Sequence, residues 1–240
     1  MPTNTTSPST DASIAAMVAD VLAPRRCAAC GRRLPLGVDA VCPSCNIRLP
    51  RTGHSANAAG NEMARLFWGR MPIERAAAMF FYEPHSLSAN VVYALKYGDR
   101  PGVGLAMGRI AAAEMAADGF FEGIDVVLPV PLSRQRERQR GYNQSLEIAR
   151  GVAEVAKVEL STAAARLRHT DVQAKLDNSQ RASNVEGAFG IADPEAFAGR
   201  HVLIVDDVVT TGATVCSLGM ELAKIPGVRL SVMSLGFTKH

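Results

Sequence analysis

Asp206 and Asp207 stand side by side at the end of the aliphatic run Val202-Leu203-Ile204-Val205, and Val208-Val209-Thr210-Thr211-Gly212-Ala213-Thr214 follows them. Two adjacent carboxylates are acceptors for sugar hydroxyls. A turn of small and hydroxyl residues that opens a helix presents backbone N–H donors to an anion, aided by the positive end of the helix dipole. Sugar acceptors next to phosphate donors is the pairing that a phosphorylated ribose needs. The elements that position these groups follow from the pattern. Four aliphatic residues in succession read as a strand buried on both faces, and residues 215–223 continue as a helix. In an open α/β sheet, ligands sit just beyond the carboxyl ends of the strands.

Other readings of this segment fit less well. A Walker B strand also ends in acids, yet the chain has no G-x-x-x-x-G-K-[ST] to partner it. A receiver domain pairs acids near its start, whereas this doublet is near the end. An ordinary strand–turn–helix with solvated acids and threonine caps remains the bland account.

A second group is Cys27-x-x-Cys30 with Cys42-x-x-Cys45. Each C-x-x-C closes a knuckle with both thiolates aimed at one cation, and two knuckles complete a tetrahedral zinc shell. Gly31, Pro35, Gly37 and Pro43 supply turns for the short hairpin between them. With sulfur in all four positions the site is structural. Disulfides or a redox pair are the competing accounts, and neither suits two such pairs in a reducing compartment. Cys216 stands apart and reads as a small buried side chain. Between residues 25 and 51, Arg25, Arg26, Arg32, Arg33, Arg48 and Arg51 face Asp39 alone, a local charge of +5. That is either a solvated surface or a patch for phosphate backbones. No aromatic residue accompanies it to stack on bases.

The remaining chain supports an α/β fold. Its 240 residues are 48% hydrophobic and 20% charged with net charge +3, a globular composition whose overall charge does not argue for nucleic acid. No apolar stretch is long enough for a membrane span, and the start lacks the features of a secretory signal, so membrane insertion is not expected and the cytoplasm is. Residues 1–24 read as a disordered tail with a short helix at 12–22, residues 25–53 as the zinc ribbon, 54–71 as a linker, and 72–240 as the main domain. Strands are expected at 75–82, 125–130, 184–189, around Asp206 and at 228–237. Helices are expected at 86–97, 103–117 and 143–155. This alternation implies a mostly parallel sheet flanked by helices. The polar stretch 169–183 has the length of a lid.

The Asp206 segment closely resembles the signature of type I phosphoribosyltransferases, which bind 5-phosphoribosyl 1-diphosphate. The resemblance implies that Asp206 and Asp207 hold the ribose, and that Thr210, Thr211, Gly212, Ala213 and Thr214 wrap the 5′-phosphate. Further blocks are similar to the ComF/GntX group of that fold: Leu95-Lys96-Tyr97, Pro129-Val130-Pro131-Leu132, Arg138-Gln139-Arg140-Gly141-Tyr142-Asn143-Gln144, and Arg168-x-Thr170-x-x-Gln173-x-x-Leu176 with Arg181-x-x-Asn184-x-x-Gly187-Ala188-Phe189. That group also carries an N-terminal zinc ribbon, so the resemblance spans about residues 25–237. It implies that Val130, Pro131 and Leu132 form the diphosphate loop, that magnesium accompanies the ligand, and that Lys175 and Arg181 close over the leaving group. Arg138 and Arg140 would add positive field. Ser133 stands where many relatives carry histidine, so no proton-transfer role is carried over there. The implied activity is transfer of phosphoribosyl to a nitrogen acceptor. The alternative is an accessory role in DNA uptake, with the ribbon contacting single-stranded DNA or a helicase and the pocket used for sensing.

Overall fold

The computed structural model describes residues 24–167 and 188–239. Expectations for the N-terminal tail and for the lid, with its Lys175 and Arg181, lie outside the described residues.

The ribbon folds around an antiparallel bridge between Arg26 and Arg33 and ends in α1 (Pro43–Arg48). Pro43 sits in the first turn, where a missing N–H costs nothing. The ribbon is not a separate bead. Cys27, Leu34, Val41 and Leu49 belong to the same buried cluster as residues of the main domain. Arg51 donates two hydrogen bonds to Glu114, and Arg100 and Asn90 each donate to a ribbon carbonyl.

Residues 54–71, expected as a linker, are instead built into the core. A 3-10 turn at His54–Asn57 leads to α2 (Glu62–Phe67), whose first turn is capped by Asn61. The Asn61 amide also donates to the carbonyls of His54 and Ala76. Met63, Ala64 and Phe67 are fully buried. The small residues here serve tight turns against the sheet, a use that composition alone does not distinguish from a tether.

The main domain continues through β1 (Arg75–Phe81), α3 (Leu87–Tyr97), α4 (Pro101–Ala116), β2 (Val126–Pro129), α5 (Arg134–Arg140), α6 (Gln144–Ala156), β3 (Glu159–Leu160), β4 (Ala164–Arg166), β5 (Phe189–Ile191), β6 (His201–Val209), α7 (Ala213–Leu222) and β7 (Arg229–Phe237). Five strands form one parallel sheet in the order β1-β7-β6-β2-β3, and β4 pairs with β5 in a separate antiparallel ribbon. The expected parallel, helix-covered sheet is therefore observed. Side chains alternate across β6 as a strand requires. Leu203 and Val205 pack with α4 and α6 on one face, while Val202 and Ile204 pack with α2 and α7 on the other.

Two features differ from expectation. α5 has no apolar residue to reveal a helical period. It forms because Arg, Gln and Glu are good helix formers, Ser133 caps its start, and Gly141 ends it in the left-handed region. β6 also runs past the acids to Val209, because Val208 and Val209 pair with Gly236 and Phe237 of β7. Helices α4 and α6 approach so closely that a Cβ on Gly151 would lie 2.2 Å from the Leu105 carbonyl oxygen. Only glycine fits that crossing, which sets the start of α6 against the sheet.

Candidate functional site

The chain moves outward from β2 to β3 in one direction and from β6 to β7 in the other. The strand order therefore reverses between β2 and β6, the point at which open α/β sheets bind ligands. β2 ends where Pro129 pairs with Val205, so among the described residues no strand pairs with Asp206 and the rest of β6 on that side. A cavity of about 280 Å³ opens there. Its walls include Asp206, Asp207, Thr210 and Thr214 on one side and Val130, Pro131 and Leu132 on the other. Thr211, Gly212 and Ala213 complete the turn behind Thr210 but do not themselves line the cavity.

The acids are held in different ways. Asp206 Oδ1 accepts from the Ser145 hydroxyl at 2.9 Å and from the Asp207 N–H at 2.9 Å. Asp207 lies 3.3 Å from Lys96 Nζ through its Oδ2, while its Oδ1 accepts from the Val208 N–H. Burial first, and then the charge of Asp207, push the Asp206 carboxyl up to about 7, and its two hydrogen bonds and Lys96 only partly oppose this.

The turn from Thr210 to Thr214 depends on a segment far away in sequence. Gly212 adopts φ +69°, and a Cβ there would lie 2.9 Å from Phe67 of α2. Arg70, just past α2, donates to the Thr211 carbonyl at 2.6 Å and so fixes one peptide of the turn. α7 then starts at Ala213, and its dipole end favours an anion at Thr210 and Thr214.

The block from Gly141 to Ser145 explains its own spacing. Gly141 ends α5, and the Tyr142 hydroxyl donates to the Leu95 carbonyl at 2.5 Å. Asn143 caps α6 with its oxygen, while its amide donates to the Val130 carbonyl of the opposite loop. Ser145 reaches Asp206. Each residue thus ties one wall of the cavity to another. Ser133 accepts from the Arg136 N–H as the α5 cap, which accounts for a serine at this position.

Several lining groups come from outside the recognised turn. Lys96, of the Leu95-Lys96-Tyr97 block, faces Asp207. Arg140 is in the wall, joined by Arg136 and Arg166, whereas Arg138 is not. Burial, and then Arg136, disfavour the Arg166 charge, and Asp206 favours it. Arg166 also stands with Pro131 and Leu132 in the wall of an adjoining cavity of about 570 Å³. No linear signal distinguished Ser145, Arg136, Arg166 or Arg70 from surface polar residues.

In the ribbon, the sulfurs of Cys27, Cys30, Cys42 and Cys45 all lie within 4.8 Å of one another. The Cys30 and Cys42 sulfurs are 4.0 Å apart, close to the about 3.8 Å edge of a tetrahedral zinc–thiolate site. The Cys42 N–H donates to Cys27 Sγ, and Arg32 Nε donates to Cys30 Sγ at 3.4 Å. The Arg32 guanidinium draws the Cys30 thiol down to about 6. The donor set fits zinc. Cys216 is buried as expected, and burial pushes its thiol up.

Comparison with known proteins places these features in a family. The phosphoribosyl transferase domain model matches residues 142–229. A DNA utilization protein YhgH of Salmonella typhi is 30% identical over 213 residues, covering 87% of this chain and 88% of its own. Its counterpart in Escherichia coli K12 is 29% identical over 223 residues, covering 88% of this chain and 96% of its own. Competence protein F of Haemophilus influenzae is 32% identical over 113 residues, 46% of this chain and 49% of that protein. Among solved structures, the allosteric regulatory enzyme of purine biosynthesis matches with a TM-score of 0.40 at 22% identity, over 59% of this chain and 30% of that one. No helix among the described residues is long and apolar enough to cross a membrane.

Proposed function

The chain belongs to the ComF-like family of phosphoribosyltransferase-type proteins, and from that premise we propose that it binds 5-phosphoribosyl 1-diphosphate over Asp206 and Asp207 and transfers the phosphoribosyl group to a nitrogen acceptor. One observation carries this reading: both acids, Thr210 and Thr214 share a cavity with the Val130–Leu132 loop at the point where the strand order reverses. The ribose hydroxyls donate to the carboxylates, and the 5′-phosphate takes the amide end of α7. The diphosphate lies along Val130, Pro131 and Leu132, near Arg136, Arg140 and Arg166. The C1–oxygen bond breaks with its electron pair leaving on diphosphate, the acceptor nitrogen forms the new bond to C1, and the nitrogen's proton passes to the departing diphosphate. A cation-like sugar develops on the way, so the preset positive field at the leaving group lowers the barrier. Magnesium, when bound with the ligand, neutralises diphosphate charge, and the carboxylates are oxygen donors of the type it accepts. The resemblance assigns Lys175 and Arg181, outside the described residues, to the leaving group, and the adjoining cavity of about 570 Å³ leaves room for an acceptor. The ribbon holds one structural zinc ion, and the protein works in the cytoplasm.

Calorimetry with 5-phosphoribosyl 1-diphosphate and magnesium tests binding, and diphosphate release across candidate amines and bases tests turnover. Saturable binding that vanishes when Asp206 and Asp207 are both changed to Asn supports the reading. Equal binding by that variant removes the pocket from the account.

A second reading is an accessory role in DNA uptake with the pocket used for sensing. It is favoured by the relatives, which are named for DNA utilization and competence. The ribbon is the weaker part of that reading. Arg25 pairs with Asp39, Arg26 donates to the Gly31 carbonyl, Arg32 to Cys30, and Arg51 to Glu114. Alanines at Arg25, Arg26, Arg32 and Arg33 test it by gel shift, since unchanged DNA binding takes the ribbon out of the contact.

A further inference from the structure

Large side chains on this surface are mostly buried, yet Tyr93 and Tyr97 are 65% and 64% exposed. They lie four residues apart on α3, hence on one face. Their ring centroids are 4.9 Å apart with planes inclined by 43°. The Arg140 guanidinium lies 5.9 Å from the Tyr97 centroid. It is carried there by α5, whose seven residues hold Arg134, Arg136, Arg138 and Arg140 against Glu137, with none buried. The Tyr142 hydroxyl on the Leu95 carbonyl pins the end of α5 to α3, so the juxtaposition is built and not incidental.

We propose that Tyr93 and Tyr97 with the arginines of α5 form a docking surface for single-stranded DNA. The inference rests on the DNA-uptake reading and relocates its contact from the ribbon to the rim of the ligand cavity. Two solvent-open rings offer faces on which unpaired bases stack, and the arginines of α5, with Arg140 reaching Tyr97, offer phosphate contacts. This is the aromatic and basic combination that the ribbon lacks. Duplex DNA hides its base faces, so the surface selects single strands. Stacking reads no sequence, so the preference among bases is weak. Lys96 and Arg140 sit in the cavity wall beside this surface, which places a bound strand next to the mouth of the sugar-phosphate site.

Fluorescence anisotropy with a labelled oligo-dT of about 12 nucleotides tests this. The wild-type chain is expected to bind it more tightly than a blunt duplex of the same length. Changing Tyr93 and Tyr97 to Ala weakens binding by about tenfold, and changing both to Phe restores it. Changing Arg134 and Arg138 to Ala lowers the salt dependence by about two phosphate contacts. Unchanged binding of 5-phosphoribosyl 1-diphosphate to the Tyr→Ala variant shows that it is folded. No binding of any strand by wild type overturns both this surface and the DNA reading. Wild-type binding that the tyrosine and arginine variants leave intact overturns the surface alone. Tighter binding of oligo-U than of oligo-dT overturns the commitment to DNA.

Discussion

At the end of β6 two carboxylates sit side by side, held by Lys96, Ser145 and neighbouring amides, with one flank open to a cavity. In the ribbon four thiols converge within 4.8 Å of one another, three of them buried and Cys30 half-buried. Both regions crowd acidic groups. In the ribbon the crowding would be relieved by a bound zinc ion, for which the four thiols are a fitting donor set. In the pocket, burial first and the neighbouring charge of Asp207 second push the Asp206 carboxyl up, and the open flank leaves that carboxyl within reach of a ligand.

The largest effect should come from undoing the ribbon. Cys45 is 1% exposed and its cluster packs on α3 and α4. Cys45→Ser, or removal of zinc by a strong chelator, is expected to release one metal ion and lower the melting temperature by about 10 °C or more. Metal analysis with a thermal melt checks this. A bound metal count of zero in the native protein would end the comparison.

At the pocket the sign should be the opposite. Asp206 has a folded pKa above its ordinary value, so its charging opposes folding. Stability is present below the usual carboxylate range, declines as pH rises to about 7, and is level above that. Asp206→Asn should therefore raise the melting temperature by a few degrees, about 2–4 °C, at pH 8 while leaving it nearly unchanged at pH 4. The same variant should lose ligand affinity by about tenfold or more, through a lost charge-assisted hydrogen bond. Paired melts and calorimetry at both pH values decide it. A lower melting temperature at pH 8 would show that the acids are structural, like the thiols.

Gly212→Ala sharpens the contrast within the pocket. The left-handed φ and the 2.9 Å approach to Phe67 predict a loss of about 1–3 kcal/mol in stability by chemical denaturation, together with weaker phosphate binding. Arg70→Ala is the mildest change. It removes the hydrogen bond to the Thr211 carbonyl from an exposed side chain, so the melt should hardly move while ligand affinity falls by about tenfold or less. Equal affinity would mean that the turn holds its shape through Gly212 and Phe67 alone.

The parts of this molecule that could be read directly are the ones written contiguously. The strand, acid doublet, turn and helix from Val202 to Leu222 are consecutive, and so are the two C-x-x-C knuckles. The block from Arg138 to Gln144 was legible as a motif, but its purpose was not, because Tyr142 and Asn143 find their partners at Leu95 and Val130, and Ser145, just beyond it, reaches Asp206. Residues 54–71 misled because small polar residues serve turns in a core and tethers in solvent equally well. α5 escaped notice because a helix without an apolar face has no hydrophobic period.

Local order therefore determined which groups the chain brings together in sequence: paired carboxylates before a helix-opening turn, and four thiols on two knuckles. Those groups interact with neighbours a few residues away, and such contacts survive in a one-dimensional reading. The tertiary structure alone decided that Lys96, Ser145, Arg136 and Arg166 share a cavity with Asp206, that Arg70 steadies the phosphate turn, and that Tyr93 and Tyr97 meet the arginines of α5. Each of these pairings depends on the twist and order of a parallel sheet and on how closely α4 crosses α6. Those are properties of packed surfaces, set by the whole chain at once.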